Sequence, residues 1–393
     1  MKLAFVVQRY GAGIAGGSEA HSREFARRLS PRHDITVLTT CARDYVTWEN
    51  AYPAGESMDD AVRVLRFPVR RPRRLQSFAD VSDEVFDRPA PPDRQEEWFR
   101  ENGPDAPALL DHLRTRGQSY DLVLFWTFRY APSFFGVPLV KDRAVLLPTA
   151  EEDRAVYLDV LEDYFRKPAG YLFLTPEERA LVTTRAGRLL MPSAVVGIGL
   201  EPAARVEGRQ LLGRHGLPDD YLLYLGRVDR NKGCHTLLEY FQEYAAYRDG
   251  VSLVLAGPTT IKVPQHPRIR AAGYVSDDVR SALLSHAQAL VVPSPYESLS
   301  IVLLEAWNYS LAALVNARCK VLDGQVRRAN GGLTYRSPGE FREVLDYLLC
   351  HPAEREALGR QGLAFIEREY RWPIVLDRTE RLLADVRAAR TRP

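Results

Sequence analysis

YLLYLGRVDRNKGCHTLLEYFQEYAAYR, residues 221–248, reads as a buried strand, a loop with cations, and a helix. An unbroken apolar run of this kind suits a strand covered on both faces, as in parallel sheets. The rhythm continues downstream. VSLVLAG and AGYV read as strands, and SDDVRSALLSHA as a helix capped by Ser276 with acids in its first turn, where the dipole favours them. Strand ALVVPS, loop PYES, helix LSIVLLEAWNY and strand AALVNA follow. Upstream, the chain opens the same way. Leu3 to Val7 form an apolar strand, Gly11 to Gly17 a glycine-rich loop, SEAHSREFARRLS a helix with Ser18 as its cap, and DITVLTT a second strand. DLVLFWTF, AVLLPT, GYLFLT and GRLLMPS read as further strands of that half. The expected class is α/β, with two doubly wound halves. EPAARVEGRQLLGRHGLPDD has turn signals and no strand pattern, which places the boundary near Gly199. Residues 44 to 117, rich in Pro, Arg and Asp, give one strand (AVRVLRF) and one helix (DAPALLDHLRTRG).

Length and composition agree with two domains. The chain has 393 residues, beyond the size at which one core usually stops growing. The net charge of +2 offers no global field for nucleic acid. One stretch, RVLRFPVRRPRR from Arg63 to Arg74, is locally basic. It reads either as a solvated loop or as a contact for anionic lipid or a phosphorylated acceptor. The four cysteines are scattered without a CxxC pair, so neither a metal site nor a disulfide framework is expected. The apolar start is too short for a signal-peptide core, and no run reaches the ~18 apolar residues of a membrane span. A cytoplasmic protein is expected, at most peripheral at the inner face of the membrane.

Three motifs carry chemistry. Gly11, Gly13 and Gly16 match G-x-G-x-x-G, the dinucleotide fingerprint. The fingerprint also wants an acid at the end of the second strand for the ribose diol, and Thr39, Thr40 and Cys41 stand there instead. Gly16 and Gly17 read better as letting a helix N-terminus approach a phosphate or sugar. In GRVDRNKG, Arg227 and Lys232 follow a strand end, where a planar fork and a point charge can clamp a diphosphate. In PSPYESLSIVLLEA, Glu297 lies in the loop and Glu305 eight residues on, about two turns into the helix. Ser298, Leu299 and Ser300 are read as the helix start, with amides free for a phosphate. Glu305 can accept from a ribose diol and Glu297 from sugar hydroxyls.

With these elements together, the chain resembles family 4 of the glycosyltransferases. The matching residues are Gly16-Gly17, Gly226-Arg227 with Lys232-Gly233, and the E-x7-E pair Glu297 and Glu305. The resemblance implies the GT-B fold, two facing Rossmann-like domains with an interdomain cleft. Residues 1–198 would bind the acceptor, 199–372 the nucleotide sugar, and 373–393 would form a helix crossing back to the first domain. It implies a retaining, metal-independent transferase using a nucleotide-diphosphate sugar as donor and no cofactor. Arg227 and Lys232 would neutralise the diphosphate, Glu305 would hold the ribose, and Glu297 the donor sugar. Ser298, Leu299 and Ser300 would help hold sugar or phosphates, and Gly16 and Gly17 would line the donor. The acceptor would be a glycan, lipid or small molecule, as in polysaccharide, glycolipid or natural-product glycoside synthesis. Many family members carry a histidine in the first domain, near the reacting carbon. Thr127, Phe128 and Arg129 stand where it is expected, so Arg129 or Glu151 is the candidate replacement on the acceptor side. A nucleotide-sugar epimerase, a non-catalytic sugar-nucleotide binder and a dehydrogenase remain as alternatives.

Overall fold

A computed structural model describes residues 1–391 except Ala15, Arg205 and Glu207, and excepting the side chain of Thr391. The chain divides into two compact units, Met1–Ile198 with Leu376–Pro393, and Gly199–Val375.

The first unit is built on an eight-stranded sheet: β1 (Lys2–Val6), β2 (Asp34–Thr40), β3 (Gly55–Asp59), β4 (Val62–Phe67), β5 (Leu122–Trp126), β6 (Ala144–Leu147), β7 (Gly170–Phe173) and β8 (Ser193–Val195). The order is β3-β4-β2-β1-β5-β6-β7-β8, parallel throughout except for the β3–β4 pair. The apolar runs explain this arrangement. Leu3 to Val6 and Leu122 to Trp126 are fully buried, as strands covered by helices on both faces must be. The strand order reverses between β1 and β5, so the loops after these two strands open beside one another.

The second unit carries a six-stranded, all-parallel sheet: β9 (Tyr221–Leu225), β10 (Ser252–Ala256), β11 (Ile269–Gly273), β12 (Ala289–Val292), β13 (Ala313–Asn316) and β14 (Gly332–Tyr335). Its order is β11-β10-β9-β12-β13-β14, with the reversal between β9 and β12. The loops after β9 and β12 are those that hold Arg227, Lys232 and Glu297.

Several sequence expectations shift. The first helix begins at Gly17 with Gly16 as its N-cap, not at Ser18. GRLLMPS is not a strand up to its last residue, because β8 begins at Ser193. The AGYV strand lies earlier, at Ile269–Gly273. Residues 44–117 hold more order than their composition suggests: the exposed strand β3 and helices Leu75–Asp87, Pro92–Asn102 and Pro107–Arg116. Two of these helices start on a proline, where its missing N–H costs nothing.

The basic stretch is tied into the first unit. Arg63 pairs with Glu56, Arg70 with Asp105, and Arg71 and Arg74 with Glu101. Arg66 donates to Ser57 and the Tyr10 carbonyl, and Arg73 to the carbonyls of Asn102 and Tyr45. All six guanidinium groups thus have partners within the protein, which reduces the field an anionic surface would meet. Among the described residues no helix is long and apolar enough to cross a membrane. The last helix runs Trp372–Thr391, one residue earlier than the expected start at 373, with Pro373 in its first turn.

Candidate functional site

In the second unit the site grows from the loop after β9. Gly226 has φ 128°, and a Cβ at Gly257 would overlap its carbonyl, so two strand ends meet here backbone to backbone. The Tyr224 hydroxyl donates to the Arg227 carbonyl at 2.6 Å. Asp229, buried, organises the turn. One carboxylate oxygen accepts the Lys232 amide at 2.7 Å, and the other lies 3.5 Å from the Arg227 guanidinium. Both cations called from the sequence are therefore set by an aspartate between them. That aspartate lies in the loop itself, five residues before the helix that starts at Cys234, where Asp is a local turn signal. Gly233 follows at φ 74°, with the Pro293 carbonyl 2.5 Å from where a Cβ would stand. This contact draws the loop after β9 against the end of β12.

Across the reversal point, Lys232 Nζ donates to Glu297 Oε1 at 2.8 Å. The carboxylate is mostly covered (11% exposed), whereas the Arg227 side chain stays half exposed. Cys319 adjoins the same group. Burial and the negative charge of Glu297 push its thiol up to about 11, although backbone amides pull the other way. The thiol is thus neutral packing rather than a nucleophile.

The helix after Glu297 corrects the sequence reading. It spans Ile301–Asn308, so Ser298, Leu299 and Ser300 lie ahead of it and Glu305 is little more than one turn in. The Ser300 amide is not free: it donates to Gln325 Oε1 at 3.2 Å, and Leu299 and Ser300 are buried. Glu305 is salt-bridged to Arg280, on the helix Asp277–His286 that follows β11. Burial raises its carboxyl above the usual range, and Arg280 pulls it partly back. Each glutamate of the pair thus faces its own cation, Glu297 Lys232 and Glu305 Arg280. Arg280 had no motif to mark it.

In the first unit, the loop after β1 is held by a buried ion pair. Arg9 Nε and Nη2 both reach Glu19 Oε1, at 2.9 and 2.5 Å, and Nη1 donates to the Arg43 carbonyl. A Cβ on Gly16 would overlap the Glu19 carboxylate. The missing side chain at Gly16 is therefore explained by this ion pair, without recourse to a phosphate. Gly17 is the first helical residue. The loops after β5 and β6 bring the two acceptor-side candidates together. Arg129 is salt-bridged to Asp153 at 2.8 Å, and its amide caps onto Thr127 Oγ1. Burial pulls its guanidinium down, but Asp153 and Glu151 outweigh that and raise it. Beside them Trp48 packs edge-on against Tyr130, and Arg73 lies over the Trp48 ring.

Residues 219–351, about a third of the chain, match the family described as Glycosyl transferases group 1. The chain is 27% identical over 184 residues to the alpha-D-kanosaminyltransferase of Streptomyces kanamyceticus, a match covering 43% of this chain and 46% of that protein. It therefore spans less than half of that relative. Two solved structures are similar over nearly the whole length. Sucrose-phosphate synthase from Thermosynechococcus elongatus aligns with TM-score 0.72 and 16% identity, covering 99% of both chains. Anabaena HepE in complex with UDP-glucose aligns with TM-score 0.67 and 13% identity, covering 99% of this chain and all of that one. At such identities the likeness speaks for the fold. The fold is GT-B, and the second unit carries a glycosyltransferase domain.

Proposed function

We propose that the chain transfers a sugar from a nucleotide-diphosphate donor to an acceptor hydroxyl, with retention of configuration and without a metal ion. The observation that carries this is the Lys232–Glu297 ion pair, which joins the loops after β9 and β12 where the strand order reverses, beside Arg227 on Asp229. Open α/β sheets bind ligands at this point. A departing nucleotide diphosphate gathers negative charge, and two cations fixed in advance stabilise it without reorganising. They meet the demand that a divalent ion would otherwise serve, and the sequence has no D-x-D run to hold one. Glu297, steadied by Lys232, accepts from donor-sugar hydroxyls. Glu305, steadied by Arg280, accepts from the ribose diol. Leu299 and Ser298 contribute from the intervening loop. Residues 1–198 receive the acceptor near Arg129 and Glu151, in place of the histidine usual in the family. Retention rests on the resemblance to family 4.

HepE was solved with UDP-glucose, which makes uridine diphosphate sugars the first to test. A thermal-shift panel of nucleoside diphosphates and their sugars should show one donor stabilising the chain. A ligand at 100 times its Kd adds ~2.7 kcal/mol. Lys232→Ala should lower donor hydrolysis ~100-fold or more, the usual loss for one charge-stabilising group. No shift with any nucleotide, together with undiminished turnover in Lys232→Ala, would overturn the reading. A shift without hydrolysis in the parent chain would favour a non-catalytic binder.

A further inference from the structure

Four carboxylates stand out as buried among the described residues: Glu19, Glu101, Glu178 and Asp229. Three lie beside an arginine. Glu178 is only 1% exposed, and its recorded partners are backbone amides instead. It is the third residue of the helix Pro176–Ala186, whose N-cap Thr175 accepts the Glu178 amide at 3.1 Å. With Thr175 this makes a capping box, and the glutamate side chain returns to the start of its own helix. A capping role explains that contact alone.

The carboxyl reaches further. Oε2 accepts the Leu174 amide at 2.6 Å, and Oε1 accepts the Ala150 amide at 2.7 Å, 28 residues away on the loop after β6. The Thr149 amide points at the same group. Thr149 has φ 47°, a left-handed conformation that a threonine rarely adopts and that persists only where its surroundings impose it. The strained turn opens the segment carrying Glu151 and Asp153, and Asp153 holds Arg129 from the neighbouring strand end.

We propose that Glu178 is a positioning residue for the acceptor side: its carboxyl fixes the backbone at Thr149 and Ala150, and so sets where Glu151 and Asp153 meet Arg129. This rests on the proposed placement of the acceptor beside those residues. A misplacement of about 1 Å at a reacting centre costs on the order of 100-fold. The cost falls on attack by the acceptor, not on donor binding, because Arg227, Lys232, Glu297 and Glu305 belong to the other unit.

The test compares Glu178→Ala, Glu178→Gln and Thr175→Ala in the full chain, with UDP-glucose as donor probe and either water or glucose as acceptor probe. Amide hydrogen exchange of residues 145–155 is followed in parallel. Glu178→Ala should lower kcat by ~10- to 100-fold at unchanged KM for UDP-glucose and speed exchange at Thr149 and Ala150. Glu178→Gln keeps one accepting oxygen and should fall between Ala and the parent. Thr175→Ala removes the hydroxyl that caps the helix but leaves the Glu178 carboxyl in place, so it should lower the melting temperature while leaving kcat and loop exchange unchanged. The proposal is overturned if both Glu178 variants keep parental kcat and loop exchange, or if Thr175→Ala reproduces their defects. Failure of the donor reading would show separately, as Lys232→Ala with parental turnover. If wild type does not consume UDP-glucose, the exchange comparison decides alone.

Discussion

Gly233 carries a constraint that no other side chain satisfies. Its φ is 74°, and the Pro293 carbonyl occupies the place of a Cβ. Gly233→Ala should destabilise the second unit by about 1–3 kcal/mol through backbone strain alone. It should also displace Lys232 from Glu297. Calorimetry checks the first effect and donor KM the second; an unchanged transition would remove the strain argument. Glu305 makes a pH-dependent prediction. A carboxyl raised by burial keeps its proton to higher pH, and the protonated form loses part of its capacity to accept from a ribose diol. Donor kcat/KM should therefore rise with pH on an acid limb above the usual carboxylate range. Arg280 pulls that carboxyl down. Arg280→Ala should move the limb to higher pH, and a limb that stays put would separate Glu305 from donor binding.

Among the elements, the loop after β9 behaves as a unit because Asp229 accepts the Lys232 amide and faces Arg227 at once. Loss of such a hydrogen bond is worth about 1–3 kcal/mol when a charged partner is involved. Asp229→Ala should accordingly reduce donor kcat/KM by ~5- to 100-fold, less than Lys232→Ala, in UDP-glucose hydrolysis assays. A loss equal to that of Lys232→Ala would mean that Asp229 meets the substrate itself. The strands at the centre of both sheets were legible because burial on two faces leaves an unbroken apolar run, as in Leu3–Val6 and Tyr221–Leu225. The cations and glutamates at their ends were legible because loop and helix follow each strand in order. What stayed hidden depends on distance along the chain. The Arg9–Glu19 pair behind Gly16, the Gln325 acceptor behind Ser300 and the Arg280 partner of Glu305 leave no periodicity. β3 was hidden for another reason: as an exposed edge strand, GESMD lacks the apolar residues that mark burial. Glu178 belongs with the distant contacts: its T-x-x-E spacing shows a helix cap but not its hold on Ala150, 28 residues away.

Over the whole molecule, the two units use one device: a strand order that reverses, between β1 and β5 in one and between β9 and β12 in the other, so that the loops carrying the candidate residues gather at each reversal. They differ in how the first is closed. Its chain is not contiguous, because residues 376–393 cluster with 1–198. Leu382, Leu383 and Val386 of the last helix are buried, and Val386 sits where Gly170 of β7 leaves room for it. Glu380 accepts from Arg32 at 2.8 Å and pairs with His33 at 3.0 Å, and Arg390 donates to the Asp121 carbonyl. Burying an aliphatic side chain contributes about 1.5–3 kcal/mol, so three contribute roughly 5–9 kcal/mol, comparable with the whole stability of an ordinary domain. Truncation after Val375 should therefore unfold the first unit at ambient temperature while a transition from the second unit survives in calorimetry. Leu383→Ala in the full chain should lower the first transition alone, by the ~2–5 kcal/mol typical of a buried leucine. If truncation left both transitions in place, the helix would be an appendage and residues 1–198 a self-sufficient domain.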